Sequence, residues 1–172
     1  MNTPLETYLD YAAATPVDSR VYAAMEPYFS QVFFNPSSPY APAVQVRRDY
    51  ELAKGRLART FGGRADEVVI TAGATESINL AFASVDGHVV TTAIEHPAVL
   101  EAAKRHSECT LVSPTRQGII TADAIKNALR PDTTLVSVQL TNNEIGIVQP
   151  LRDIAVAIAA ERQARAAAGN MT

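Results

Sequence analysis

Four short apolar runs, Val68 to Thr71, His88 to Thr92, Cys109 to Ser113 and Thr134 to Leu140, are each followed by a stretch of helical character. That alternation constrains the fold more than any other feature. Strands that read as continuous apolar runs are buried on both faces, and helices inserted between them make βαβ units. The expected class is therefore α/β, a mainly parallel sheet with helices on both faces. The helices fall at Thr75 to Ser84, Pro97 to His106, Thr121 to Leu129 and Leu151 to about Ala168. In the last of these, Leu151, Ile154, Ala155 and Ile158 share one face. Upstream, Leu5 to Ala14 reads as an extended piece and Ser19 to Val32 as a helix through Val21, Met25 and Tyr28. Asn35 to Pro42 reads as a loop, and Ala43 to Phe61 as a helix that Gly62-Gly63 ends.

The stretch Thr71-Ala72-Gly73-Ala74-Thr75-Glu76-Ser77 joins the first run to its helix. Gly73 lets the backbone turn tightly and lets a ligand approach closely, while Thr75 or its neighbour can cap the helix. The first helical N–H groups, with the helix dipole, then favour a phosphate. Ligands of open parallel sheets bind beyond the carboxyl ends of the strands. After His88 to Thr92 that position holds Glu95-His96-Pro97, and after Thr134 to Leu140 it holds Asn142-Asn143-Glu144-Ile145-Gly146. An anion seat, an imidazole and an Asn-Asn-Glu turn thus share one rim by topology. Alone, His96 also fits a helix-start histidine held by Glu95, and Asn142-Asn143 fits a plain turn.

The chain has 172 residues, a net charge of −3 and 19% charged residues, which suits one domain and gives no sign of a nucleic-acid or membrane partner. Its single cysteine, Cys109, excludes a disulfide within the chain and a cysteine-based zinc cluster. Cys109 opens an apolar strand and reads as a small inert hydrophobe. The start lacks a secretory pattern and no run is long enough to span a membrane, so a soluble cytoplasmic protein is expected. Neither a G-x-G-x-x-G fingerprint nor a P-loop is present.

Five separated motifs, in order, carry a resemblance. Tyr8-Leu9-Asp10-Tyr11-Ala12-Ala13-Ala14-Thr15-Pro16-Val17, Asn35-Pro36-Ser37-Ser38, Gly73-Ala74-Thr75-Glu76-Ser77, Glu95-His96, and Asn142 to Gly146 with Gln149-Pro150 together resemble the cysteine desulfurases. These are class V aminotransferases of pyridoxal-phosphate fold type I. The resemblance implies a homodimeric enzyme that takes sulfur from L-cysteine, leaves L-alanine, and passes a persulfide to sulfur-acceptor proteins of iron-sulfur cluster or thio-cofactor assembly. It implies that Gly73, Ala74 and Thr75 hold the phosphate of pyridoxal 5'-phosphate, and that His96 lies against the pyridine ring and shuttles a proton. Asn143 is implied to bond the ring's phenolic oxygen near the substrate, with Ala12 and Ala13 approaching the substrate side. Residues 1–16 become a segment near the active site, and residues 17–172 the first part of the cofactor-binding domain.

The departures matter equally. In the family a later strand carries an aspartate for the pyridine nitrogen, and a later segment carries the Schiff-base lysine. The catalytic cysteine and the arginine for the substrate carboxylate lie later still. None of these is matched here, and Lys54, Lys104 and Lys126 all fall on expected helices. Tyr40 stands where many relatives have histidine. The expectation is the amino-terminal part of a desulfurase, inactive alone, that does not bind the cofactor covalently. The alternative is a non-catalytic α/β remnant that binds a phosphorylated ligand or a partner chain.

Overall fold

The structure, a computed structural model describing residues 7–167 and 169, divides by packing into two units, Met1–Ile70 and Thr71–Thr172. In the first, Asp18 caps α1 (Ser19–Met25) by accepting from the Arg20 N–H at 2.8 Å. The single helix expected from Ser19 to Val32 is instead split, because Pro27 has no N–H to extend α1 and opens α2 (Pro27–Ser30). Asn35 organises the Pro/Ser-rich loop, its side-chain oxygen accepting from the Ser37 N–H at 2.9 Å. Helix α3 (Ala41–Thr60) follows with Pro42 in its first turn, and it ends where Gly62 takes φ 74°.

Two expected extended pieces differ from expectation. Around Tyr11–Ala13 the chain turns, with the Ala13 N–H on the Asp10 carbonyl at 3.1 Å; Leu5 and Glu6 lie outside the described residues. Val68 to Thr71 is the larger correction. Val68 has extended angles (φ −102°, ψ 122°), yet no strand forms, and Val69 and Ile70 are 75% and 53% exposed. A β-branched run sets backbone preference, but a strand also needs a neighbour to take its N–H and C=O groups.

The second unit is built on β1 (His88–Thr92), every residue of which is buried. β2 (Cys109–Val112) and β3 (Thr133–Ser137) flank it, both parallel to it, in the order β2-β1-β3. Side chains alternate across this sheet. Val89 turns to one face, where Ile78 and Phe82 of α4 (Ala74–Ala83) and Val99, Ala102 and Ala103 of α5 (Pro97–Ala103) pack on it. Val90 turns to the other, meeting Ile125 of α6 (Ala122–Ala128) and Ile154 of α7 (Leu151–Ala167), with Val112 and Ile120. This is the expected α/β class, helices on both faces of a parallel sheet.

Polar side chains lock the layers at both ends. His88, fully buried, joins all three strands at their amino-terminal end: Nδ1 meets Thr133 Oγ1 at 2.7 Å and Nε2 meets Thr110 Oγ1 at 2.8 Å. Burial holds the His88 imidazole below its usual pKa, helped by Arg130 and opposed by Asp132 and Glu108. Gln149 fastens the turn before α7 to the segment before α6, accepting from the Ile120 N–H at 2.8 Å and donating to the Gly118 carbonyl at 2.9 Å.

Candidate functional site

The site expected from the sequence is a rim at the carboxyl ends of the strands, and two of its three parts hang directly from β1 and β3. Beyond β1, the chain turns through Ala93 and Ile94 into Glu95 and His96, and His96 is the N-cap of α5. Its Nδ1 accepts from the Ala98 N–H at 3.1 Å, so in the neutral ring the proton sits on Nε2. The ring is exposed.

Beyond β3 the chain forms a narrow loop closed by an antiparallel bridge between Thr141 and Val148. Gly146, at φ 69°, allows the turn, and its N–H reaches the Asn142 carbonyl at 2.9 Å. The buried Asn142 side chain accepts from the Glu144 and Ile145 N–H groups at 2.9 and 3.0 Å and donates to the Ile94 carbonyl at 2.8 Å. Asn143 is its exposed neighbour, with an amide that reaches only Glu144, at 3.1 Å. Between the two loops sits Glu95, 7% exposed, accepting from the Thr92 hydroxyl at 3.1 Å and the Gln139 N–H at 2.8 Å. Burial pushes its carboxyl above the usual range, against those two hydrogen bonds.

The third part is the start of α4. The helix runs ten residues and then passes through a short connection into β1, so its carboxyl end lies at the amino-terminal end of the sheet. Ile78 and Phe82 of this helix pack on the Val89 side of the sheet, and Ala74 lies one turn before Ile78. Gly73, not Thr75, is the N-cap, and no side chain caps the helix. Thr71 bonds Ser77 at 2.7 Å, and Glu76 reaches back to accept from the Ala72 N–H at 2.7 Å. Among the described residues, the N–H groups of Ala74, Thr75 and Glu76 meet no acceptor. The space where a Cβ on Gly73 would stand is open.

Thr75, His96 and Asn143 are all exposed residues of the second unit. A cleft of about 420 Å³ at the opposite end of the sheet, lined by Asn79, Phe82, Asp86 and Arg105, includes none of them. Ala12 and Ala13 belong to the first unit, exposed in its amino-terminal turn. Lys54 sits within α3, paired with Glu51, Lys126 lies in α6, and Lys104 caps α5 at its far end beside Glu101. Cys109 starts β2 against the apolar face under α4 and α5, its thiol pushed up by burial. Sequence reasoning passed over Glu95 and Gln139 as joining residues, since their partners lie over forty positions apart. Among the described residues no group of three His, Cys, Asp or Glu side chains could hold a metal ion, and no helix is long and apolar enough to cross a membrane.

Residues 7–167 match the family model described as Aminotransferase class-V. The chain is 39% identical over 160 residues to a cysteine desulfurase IscS of Dictyoglomus turgidum, a match covering 87% of this chain and 41% of that protein. It is 41% identical over 165 residues to the cysteine desulfurase IscS of Rickettsia akari, covering 89% and 40%. Among solved structures it is similar to SspA in complex with cysteine, with a TM-score of 0.85 and 35% identity over 90% of this chain and 48% of that one. The chain thus spans about 40% of the length of these curated relatives.

Proposed function

The chain belongs to the class-V aminotransferase family, and from that premise we propose that it is the amino-terminal part of a cysteine desulfurase. The whole enzyme would use pyridoxal 5'-phosphate to remove sulfur from L-cysteine, release L-alanine and hand a persulfide to an acceptor protein. The similar structure that holds cysteine supports the substrate class. The family's homodimer and cytoplasmic location are part of the same proposal.

One observation carries the cofactor reading: α4 opens on a mouth whose first three N–H groups meet no acceptor among the described residues, in the same unit as His96 and Asn143. Its chemistry fits a phosphate. Ala74, Thr75 and Glu76 offer backbone donors, Thr75 adds a hydroxyl, and Gly73 leaves the approach clear. His96 presents an exposed ring that can lie against a pyridine, with Nε2 available to hold or pass a proton. Asn143 offers an exposed amide to the ring oxygen. When bound, pyridoxal phosphate supplies an electron sink for charge at the substrate Cα; the protein supplies position.

Lys104 ends α5 and Lys126 lies in α6, both away from the rim, and Lys54 is paired with Glu51 within α3, so an anchoring amine supplied from outside residues 1–172 is part of this proposal. That same observation favours the second reading, an α/β module that binds a phosphorylated ligand or partner chain without catalysis.

Titration of the ¹⁵N-labelled chain with pyridoxal 5'-phosphate, beside inorganic phosphate, tests the assignment. Both ligands should move the Ala74, Thr75 and Glu76 amides, and only the former should move His96 and Asn143. Thr75→Val should weaken binding about ten- to a hundredfold, the loss of one hydrogen bond to a charged group. Shifts confined to other surfaces would refute the seat, and L-alanine formed from L-cysteine by this chain alone would refute the need for an outside amine.

A further inference from the structure

The Glu95 carboxylate is the only ionisable group buried at the rim among the described residues, and the proposed chemistry makes no use of it. Its position is specific. One oxygen, Oε1, takes both the Thr92 hydroxyl at the tip of β1 and the Gln139 N–H just past β3. The neighbouring Ile94 carbonyl takes two donors from the same opposing segment, Gln139 Nε2 at 2.6 Å and Asn142 Nδ2 at 2.8 Å. The regular ladder between β1 and β3 has ended by then, its last paired residues being Thr91 and Ser137. Beyond that point these side-chain bonds replace the ladder.

We propose that Glu95 is a positioning residue whose carboxylate clamps the tip of β1 to the segment leaving β3 and so fixes His96 relative to Asn143. His96 directly follows Glu95, and Asn143 directly follows Asn142, so each exposed group sits one residue from an anchored one. The reasoning deepens the cofactor-site reading and rests on it for the meaning of that spacing. A side-chain carboxyl serves because one of its oxygens can accept from both donors at once.

The test uses the full chain with Glu95→Ala, Glu95→Asp and Glu95→Gln. Amide hydrogen exchange and ¹⁵N shifts report the clamp, and pyridoxal 5'-phosphate titration reports its consequence. In Glu95→Ala, protection at Gln139 should fall about tenfold or more, as expected for a lost bond to a charged acceptor, while core amides of β1 hold. His96 and Asn143 amides should shift, and cofactor affinity should weaken about tenfold, matching the same loss. Glu95→Gln keeps the accepting oxygen and should restore all of these. Glu95→Asp, one methylene shorter, should behave as Glu95→Ala does and stands in for it if that variant fails to fold. Unchanged protection at Gln139, or lost protection with His96 and Asn143 unmoved, overturns the proposal. If the parent binds no pyridoxal phosphate, the cofactor-site reading fails, and the exchange and shift data still decide the clamp.

Discussion

Replacing His88 with leucine removes a side chain that ties all three strands, and the structure sets the size of the effect. The ring is fully buried and its two hydrogen bonds, to Thr133 and Thr110, are 2.7 and 2.8 Å long. Each bond contributes about 1 kcal/mol net, and a hydroxyl left without a partner adds about 1–2 kcal/mol. Thr133 still accepts from the Arg130 N–H, so Thr110 carries most of that second penalty. Leucine roughly refills the space, which keeps the cavity contribution small. The sum is about 3–4 kcal/mol, or roughly 6–16 °C in Tm for a chain of this size. A pH series isolates the imidazole. Its folded pKa is depressed by burial, so it contributes stability that is present above the unfolded value, about 6.5, and is lost as pH falls through the folded value. The gap between parent and His88→Leu in urea melts should therefore narrow from pH 7 to pH 5. His96 and His106 are common to both proteins and cancel in the difference. A cost under about 0.5 kcal/mol, less than one ordinary hydrogen bond, or a gap that does not change with pH, would show that the ring is not the tie described.

Gln149→Leu should cost about 2–4 kcal/mol in the same assay, because it leaves the buried Ile120 N–H and the Gly118 carbonyl without partners; a loss below 1 kcal/mol would contradict that accounting. Glu95→Gln should change stability in the opposite pH sense to His88→Leu. The folded pKa of Glu95 is raised, so its contribution is fully present below the unfolded carboxyl pKa and lost as pH rises through the folded value. The neutral amide escapes that loss, and its stability relative to the parent should rise between acidic and neutral pH; a flat difference would mean that burial does not penalise the charge.

β1 was legible almost to the residue because a central strand buried on both faces leaves a run without charge alternation and rich in β-branched residues, Val89-Val90-Thr91-Thr92 after His88. The run at Val68 to Ile70 looks the same in sequence and forms no strand, since nothing local encodes whether a neighbour stands beside it. Pro27 carried its own signal, and the pattern of Val21, Met25 and Tyr28 concealed it. His88 and Glu95 were visible as residues but not as joints. Their partners lie 22 to 45 positions away, and only the register β2-β1-β3 brings them together. Gln149 was noticed as half of a Gln-Pro motif, while its work on Gly118 and Ile120 depends on how α7 returns to the sheet.

The rim has a further regularity that sequence spacing alone does not explain. Beside each exposed group expected to meet a ligand stands one whose polar atoms are satisfied within the fold. Glu95 is bonded inward and His96 faces out; Asn142 makes three bonds inward and Asn143 faces out; Glu76 turns back to Ala72 while Thr75 stands at the open helix mouth. A buried polar group without partners costs more than a paired one returns, so the buried Glu95 and Asn142 resist displacement, while Glu76 is itself exposed. The outward members are then held by backbone that is already fixed, and a ligand would not have to spend binding energy ordering them. The doublets Glu95-His96 and Asn142-Asn143 thus divide their labour between anchoring the loop and presenting a side chain.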